Sequence, residues 1–197
     1  MSSRTLVAVA GGQYRLASPI FMPMRAFIGS RSAKSAFTHI DDAGNASMVD
    51  VSDKEPTLRT AIARGRVLMN KETFDLVRQD KIEKGNVLNV AQIAGIQGAK
   101  NCSQIIPLCH PIAITKVSVD LKLTKYVASS GYAVEIESQV RCKGETGVEM
   151  EALSAVSAAA LTVFDMCKAV SKHMRIGDIR VVEKTGGKSG HWSSGES

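Results

Sequence analysis

Polar and apolar residues alternate from Thr57 to Met69, with Leu58, Thr60 and Ile62 on one side and Arg59, Ala61 and Ala63 on the other. A period of two predicts a strand, although the alanines keep a helix open as the alternative. Upstream, Ser47 to Val51 has the pattern of a short strand, followed by a turn at Ser52 to Pro56. Asn70 is placed to cap a helix through Thr73, Phe74, Leu76 and Val77, ending before Lys84-Gly85. Asn86 opens a second helix, with Val87, Val90, Ile93, Ala94 and Gln97 on one face. Ile106-Pro107-Leu108-Cys109-His110-Pro111 is bounded by prolines, which fix φ and exclude helix, so a rigid loop is expected.

Two strand-like stretches follow, about Thr115 to Leu123 and Ala133 to Cys142, with Ser129-Ser130-Gly131 near the turn of a hairpin. Thr146-Gly147-Val148-Glu149 fits a capping box, in which hydroxyl and carboxylate satisfy each other's backbone donors. It would start the longest helix, running to about Ser171, whose alanines permit close packing against another element. A last strand, Ile179 to Glu183, leads into Lys184-Thr185-Gly186-Gly187-Lys188-Ser189-Gly190. Paired strands with helices between them predict a single α+β domain with an antiparallel sheet.

The formal charge of +6 looks suited to a polyanion until it is located. Arg4, Arg15, Arg25, Arg31 and Lys34 lie within residues 1–40, which hold no Asp or Glu. The other 20 basic residues face all 19 acidic ones, so the folded part is nearly neutral and no nucleic-acid partner is expected. An acid-free leader with Arg, Ser and scattered apolar residues has the composition of a mitochondrial transit peptide, so residues 1–37 are expected to direct the chain to the mitochondrial matrix. The longest apolar run, Ala152 to Phe164, is shorter than a membrane span and is bounded by Glu151 and Asp165, so no membrane partner is expected. Cys102, Cys109, Cys142 and Cys167 have no CxxC spacing and are expected to be free thiols.

The chemistry concentrates on the long helix. Asp165 and Lys168 lie three residues apart among Ala, Leu, Val and Met, where an ion pair is expected to be partly desolvated and tuned for proton transfer. Glu149 and Glu151 sit in the first turn, where the helix dipole by itself accounts for carboxylates. Glu151 and Asp165 are 14 residues apart, hence on nearly one face but roughly 21 Å apart along the axis. If both serve one site, a second chain must bring its helix start to this chain's Asp165. His110 is held in the rigid loop, but no zinc-like ligand spacing accompanies Cys109-His110. Lys84 beside Gly85 reads first as an exposed turn lysine. Gly187-Lys188-Ser189 ends like a phosphate-binding loop, yet the first glycine of that motif would fall at Val182 and no helix can follow. Lys184 and Lys188 among glycines could still meet an anion, or form only a frayed tail.

Thr38-His39-Ile40, Met48-Val49-Asp50-Val51, Ile106 to Pro111, Thr146 to Leu153, Asp165-Met166-Cys167-Lys168-Ala169-Val170 and Lys184 to Gly190 together resemble the cyclic pyranopterin monophosphate synthase family. The resemblance covers residues 38–190, leaving the leader and a tail at 191–197 outside it. It implies a ferredoxin-like fold and a homohexamer built as a trimer of dimers, with sites at dimer interfaces. It also implies a lyase of molybdenum cofactor biosynthesis that rearranges cyclised dihydro-GTP, closes a cyclic phosphate and releases diphosphate. Asp165 and Lys168 match the family's catalytic positions. Lys84, Leu108, Cys109, His110, Glu149, Met150, Glu151 and Lys184 match positions that bind substrate. No cofactor and no metal site are implied. A non-catalytic scaffold that binds a nucleotide or hands on a pterin is the competing reading from the residues alone.

Overall fold

A computed structural model of the chain describes residues 45–126 and 131–195, all within one compact unit. The leader, Thr38-His39-Ile40 and the hairpin residues Ser129 and Ser130 lie outside the described residues. The order is β1 (Thr57–Met69), α1 (Lys71–Arg78), α2 (Val87–Lys100), α3 (Cys102–Ile105), β2 (Ile114–Tyr126), β3 (Gly131–Gly144), α4 (Glu149–Cys167), β4 (Arg175–Thr185) and β5 (Trp192–Ser193). The sheet runs β2-β3-β1-β4-β5 and every neighbouring pair is antiparallel. The first four strands and the helices between them make the split βαβ arrangement of a ferredoxin-like α+β fold.

Alternation along β1 decides strand over helix. Ala61, Ala63, Val67 and Met69 are buried, while their even-numbered neighbours are half-exposed on the other face. Val134, Ile136, Val140 and Cys142 of β3 bury on the same side, against Ala152, Ala155, Val156, Ala159, Ala160 and Val163 of α4. Ser138 is buried there too, and its Oγ donates to the Ala152 carbonyl at 2.8 Å, so this hydroxyl is not orphaned. Asn70 and Asn86 cap α1 and α2 through their side chains, each accepting the amide three residues on at 2.9 Å.

Three expectations are corrected. Ser47 to Val51 forms no strand; among the described residues, only an isolated bridge at Ala46 precedes the turn. On α2, Val90 and Ile93 point outward and Ile93 is 67% exposed, while Val87, Ala91, Gly95, Gly98 and Ala99 are buried. The cause is close approach: a Cβ on Gly98 would meet Ala158 Cβ at 2.6 Å and the Ser154 carbonyl oxygen at 2.7 Å, so only small residues fit against α4. Nor does Thr146 cap α4. Val148 occupies the cap without a side-chain bond, so Glu149 opens the helix instead of standing three residues inside it, and its carboxylate accepts from Lys184.

At 19 residues, α4 stops short of the expected span from Thr146 to about Ser171, yet it is long and apolar enough to cross a bilayer. Its buried side is packed on β1, β3 and α2, as expected of the core helix of a globular domain.

Candidate active site

The predicted residues gather at the two ends of α4. At its C-terminal end, Lys168 Nζ lies 2.5 Å from Asp165 Oδ1. Lys84, 81 residues away in sequence, donates to Asp165 Oδ2 at 2.7 Å and to the Asp165 carbonyl at 3.0 Å. Gly85, with φ of 98°, makes the turn between α1 and α2 that carries Lys84 to this position. One carboxylate is thus held between two ammonium groups. The Lys168 hydrogen bond first, and then that of Lys84, lowers the Asp165 carboxyl from 3.8 to about 2.

The expected desolvation is absent within the single chain. Asp165 and Lys168 are each 54% exposed, because they sit on the last turn of α4 where its outer side meets solvent. The direction of the shift on Asp165 is therefore set by its cationic neighbours and runs away from neutrality.

At the other end, Glu149 Oε1 accepts from Lys184 Nζ at 3.0 Å, and both groups are about one-third exposed. Lys184 belongs to β4, in register with Ala61, and not to a frayed tail. Glu151 is only 3% exposed and is close enough to Cys109, in the half-buried loop Leu108-Cys109-His110, to act on it electrostatically. With Cys102, Pro111, Ile112 and Lys100 it lines a hollow of about 240 Å³. Burial pushes the Glu151 carboxyl up, and the Glu149 charge adds to the effect. His110 Nε2 donates to the Val49 carbonyl at 2.8 Å, tying the proline-bounded loop to the segment before β1. Met150 is exposed beside Glu149.

Burial also raises all four thiols, Cys102 to about 12 and Cys167 to about 11, so none is poised as a nucleophile. Among the described residues, no group of three or more His, Cys, Asp or Glu side chains is placed to hold a metal.

A stability prediction follows from Glu151. Its folded-state pKa is raised, so the native chain binds more protons than the unfolded chain and loses stability as pH rises above about 4.5. Melting temperatures measured from pH 5 to 9 should fall more steeply for the native sequence than for Glu151→Gln. Parallel curves would mean that the carboxyl is ionised at no cost.

A hollow of about 680 Å³ elsewhere on the domain contains none of these residues. It lies on the sheet face opposite the helices, among Arg64, Arg66, Asp120, Lys122, Glu137 and Arg180. Charges there pair with one another, as Arg64 with Glu137 at 2.7 Å and Arg66 with Asp178. The convergence of chemical groups, and not the size of the hollow, locates the candidate site.

Against known proteins, the MoaC family profile matches residues 48–187, a span that takes in both ends of α4. The chain belongs to the MoaC family. Among its members, the cyclic pyranopterin monophosphate synthase of Heliobacterium modesticaldum is 57% identical over 79% of this chain and 95% of its own length. That of Parvibaculum lavamentivorans is 53% identical over 82% of this chain and 99% of its own length. The mitochondrial cyclic pyranopterin monophosphate synthase of Arabidopsis thaliana is 54% identical over 82% of this chain, which spans 58% of that longer protein. Every predicted site residue lies within the region matched to the MoaC family.

Proposed function

We propose that this MoaC-family chain is a cyclic pyranopterin monophosphate synthase, a lyase of molybdenum cofactor biosynthesis. It converts cyclised dihydro-GTP (3′,8-cyclo-7,8-dihydroguanosine 5′-triphosphate) to cyclic pyranopterin monophosphate and diphosphate. The observation that carries the site assignment is the convergence of Lys84 and Lys168 on Asp165. Rearranging the purine-derived skeleton moves protons on and off nitrogen and oxygen, and closing the cyclic phosphate expels diphosphate. Paired ammonium groups serve both needs, as proton donors and as partners of the departing phosphates.

Asp165 stays ionised while both lysines hold it. When substrate draws either lysine onto its phosphates, that stabilisation weakens and the carboxylate becomes a stronger base. Catalysis is thereby coupled to substrate occupancy. Glu149, Met150, Glu151, Lys184 and the loop Leu108-Cys109-His110 form the binding half of the pocket.

The two halves sit at opposite ends of one helix, so a complete site needs a second copy of the chain. Exposed Val90 and Ile93 on α2 and Leu161 on α4 supply apolar surface for an assembly. We assign a homohexamer, a trimer of dimers with sites at dimer interfaces. Mixing Asp165→Ala with Glu151→Ala protein, each inactive alone, should restore part of the activity after subunit exchange. No recovery after demonstrated exchange would place the whole site in one chain.

The leader composition and the mitochondrial designation of the Arabidopsis relative support residues 1–37 as a mitochondrial targeting segment. A reporter fused to those residues should enter the matrix, and diffuse cytosolic signal would refute the assignment. The decisive functional test supplies purified protein with the cyclised nucleotide and measures diphosphate. Stoichiometric release with the pterin product is expected; a nucleotide-binding scaffold would retain the ligand and release none.

A further inference from the structure

Arg59 was not among the residues singled out by pattern, yet it joins three segments at the start of α4. Its Nε donates to the Gly144 carbonyl and its Nη2 to the Glu145 carbonyl, both at 2.9 Å. These are the last residue of β3 and the first residue beyond it on the way to Glu149. On its other side the guanidinium is pressed by the turn that leaves β4. A Cβ on Gly187 would lie 2.1 Å from Arg59 Nη1, and one on Gly186 would lie 2.1 Å from the Leu58 carbonyl oxygen. Both glycines have positive φ, 96° and 70°, so the turn packs against Leu58-Arg59 in a conformation that side chains disfavour.

Register puts these contacts beside the binding half of the pocket. Arg59 and Ala61 are two residues apart on one strand and share a face. Ala61 is directly opposite Lys184 on β4, whose Nζ holds Glu149. Arg59 therefore grips the backbone that leads into Glu149 and abuts the backbone that follows Lys184. An arginine fork can hold two carbonyls at once in fixed directions, whereas a lysine ammonium on a flexible stem cannot reproduce that geometry.

We propose that Arg59 is a positioning residue for the reaction, its guanidinium setting the relative placement of Glu149 and Lys184 at the substrate. The proposal rests on reading those two residues as substrate-binding. Rate depends steeply on such placement, with misplacement of about 1 Å costing on the order of a hundredfold.

The test measures kcat/KM and melting temperature for Arg59→Ala, Arg59→Lys, Glu149→Gln and the double variant Arg59→Ala with Glu149→Gln. Arg59→Ala is expected to lose about a hundredfold in kcat/KM, and Arg59→Lys to recover little of it although the charge is kept. The Arg59→Ala loss should largely disappear in the Glu149→Gln background, because residues acting as a unit are not additive. Full activity in Arg59→Lys, or losses that simply multiply in the double variant, would overturn the positioning role. The lysine variant carries this test should the alanine variant fail to fold. Native turnover in Glu149→Gln alone would instead overturn the substrate-binding reading beneath it, a separate and recognisable failure.

Discussion

Asp165→Ala should abolish nearly all turnover while leaving the melting temperature close to that of the native chain. The two halves of this expectation come from the same geometry. Asp165 is half-exposed on the last turn of α4 and carries none of the core, so removing its carboxylate opens no cavity. The ion pairs it makes are of the exposed kind that contribute little to stability. The chemistry loses more, because two lysines lose the group that orients them. Loss of one preorganised electrostatic partner typically costs a hundredfold to a thousandfold in rate. Lys168→Ala should behave likewise, leaving Lys84 as the remaining cation on Asp165. Steady-state diphosphate release and a thermal melt on the same preparation check both statements. Turnover within a few-fold of native in either variant would remove that residue from catalysis.

The largest effect on stability is expected from Gly98→Ala, a substitution that helix propensity alone would call favourable. Replacing a mid-helix glycine by alanine stabilises an exposed helix by about 1 kcal/mol. Here the new methyl would meet the Ala158 methyl carbon at 2.6 Å and the Ser154 carbonyl oxygen at 2.7 Å, and the latter is helix backbone that cannot swing aside. Overpacking a filled interface costs about 1–3 kcal/mol, so the steric contribution wins. Separating α2 from α4 to admit the methyl would also loosen the alanine contacts on either side. Set against the propensity gain, the net loss is up to about 2 kcal/mol, a melting temperature lower by up to roughly 8 °C in a chain of this size. An unchanged or higher melting temperature would show that α2 can shift on α4 at no cost.

That same interface explains why the large apolar residues of α2 mark its outer face. Counting large apolar residues puts Val90 and Ile93 inside, because bulk is usually what a core demands. Against the alanines of α4 the opposite criterion applies, and Gly95, Gly98, Ala91 and Ala99 are the buried side. Strand β1 was legible because alternation is a local signal: it begins and ends at Thr57 and Met69 as its pattern indicates. The asparagine caps were legible for the same reason, since each acts within three residues. The capping box does not form because the helix starts at Glu149, whose carboxylate meets a lysine 35 residues away that no local pattern contains.

The site divides along the same line. The i,i+3 spacing of Asp165 and Lys168 announced their pairing, but the arrival of Lys84 depends on the path of the chain through α1 and the Gly85 turn. Lys184 looked like part of a loose tail until pairing with β1 fixed it beside Glu149. Arg59 carried one weak signal, a charged residue on the strand face where Ala61 and Ala63 are buried.

The span of α4 has a consequence for how this protein can change. Side chains along its outer surface can be exchanged with little effect on the spacing between the Glu149 and Asp165 ends. One residue inserted or deleted within it would swing every downstream side chain through about 100° and slide it about 1.5 Å. Asp165 would then leave the reach of Lys84, and the alanine seam facing α2 would turn out of line. The helix acts as a spacer of fixed length, and its residue count is as much a functional quantity as the groups at its tips.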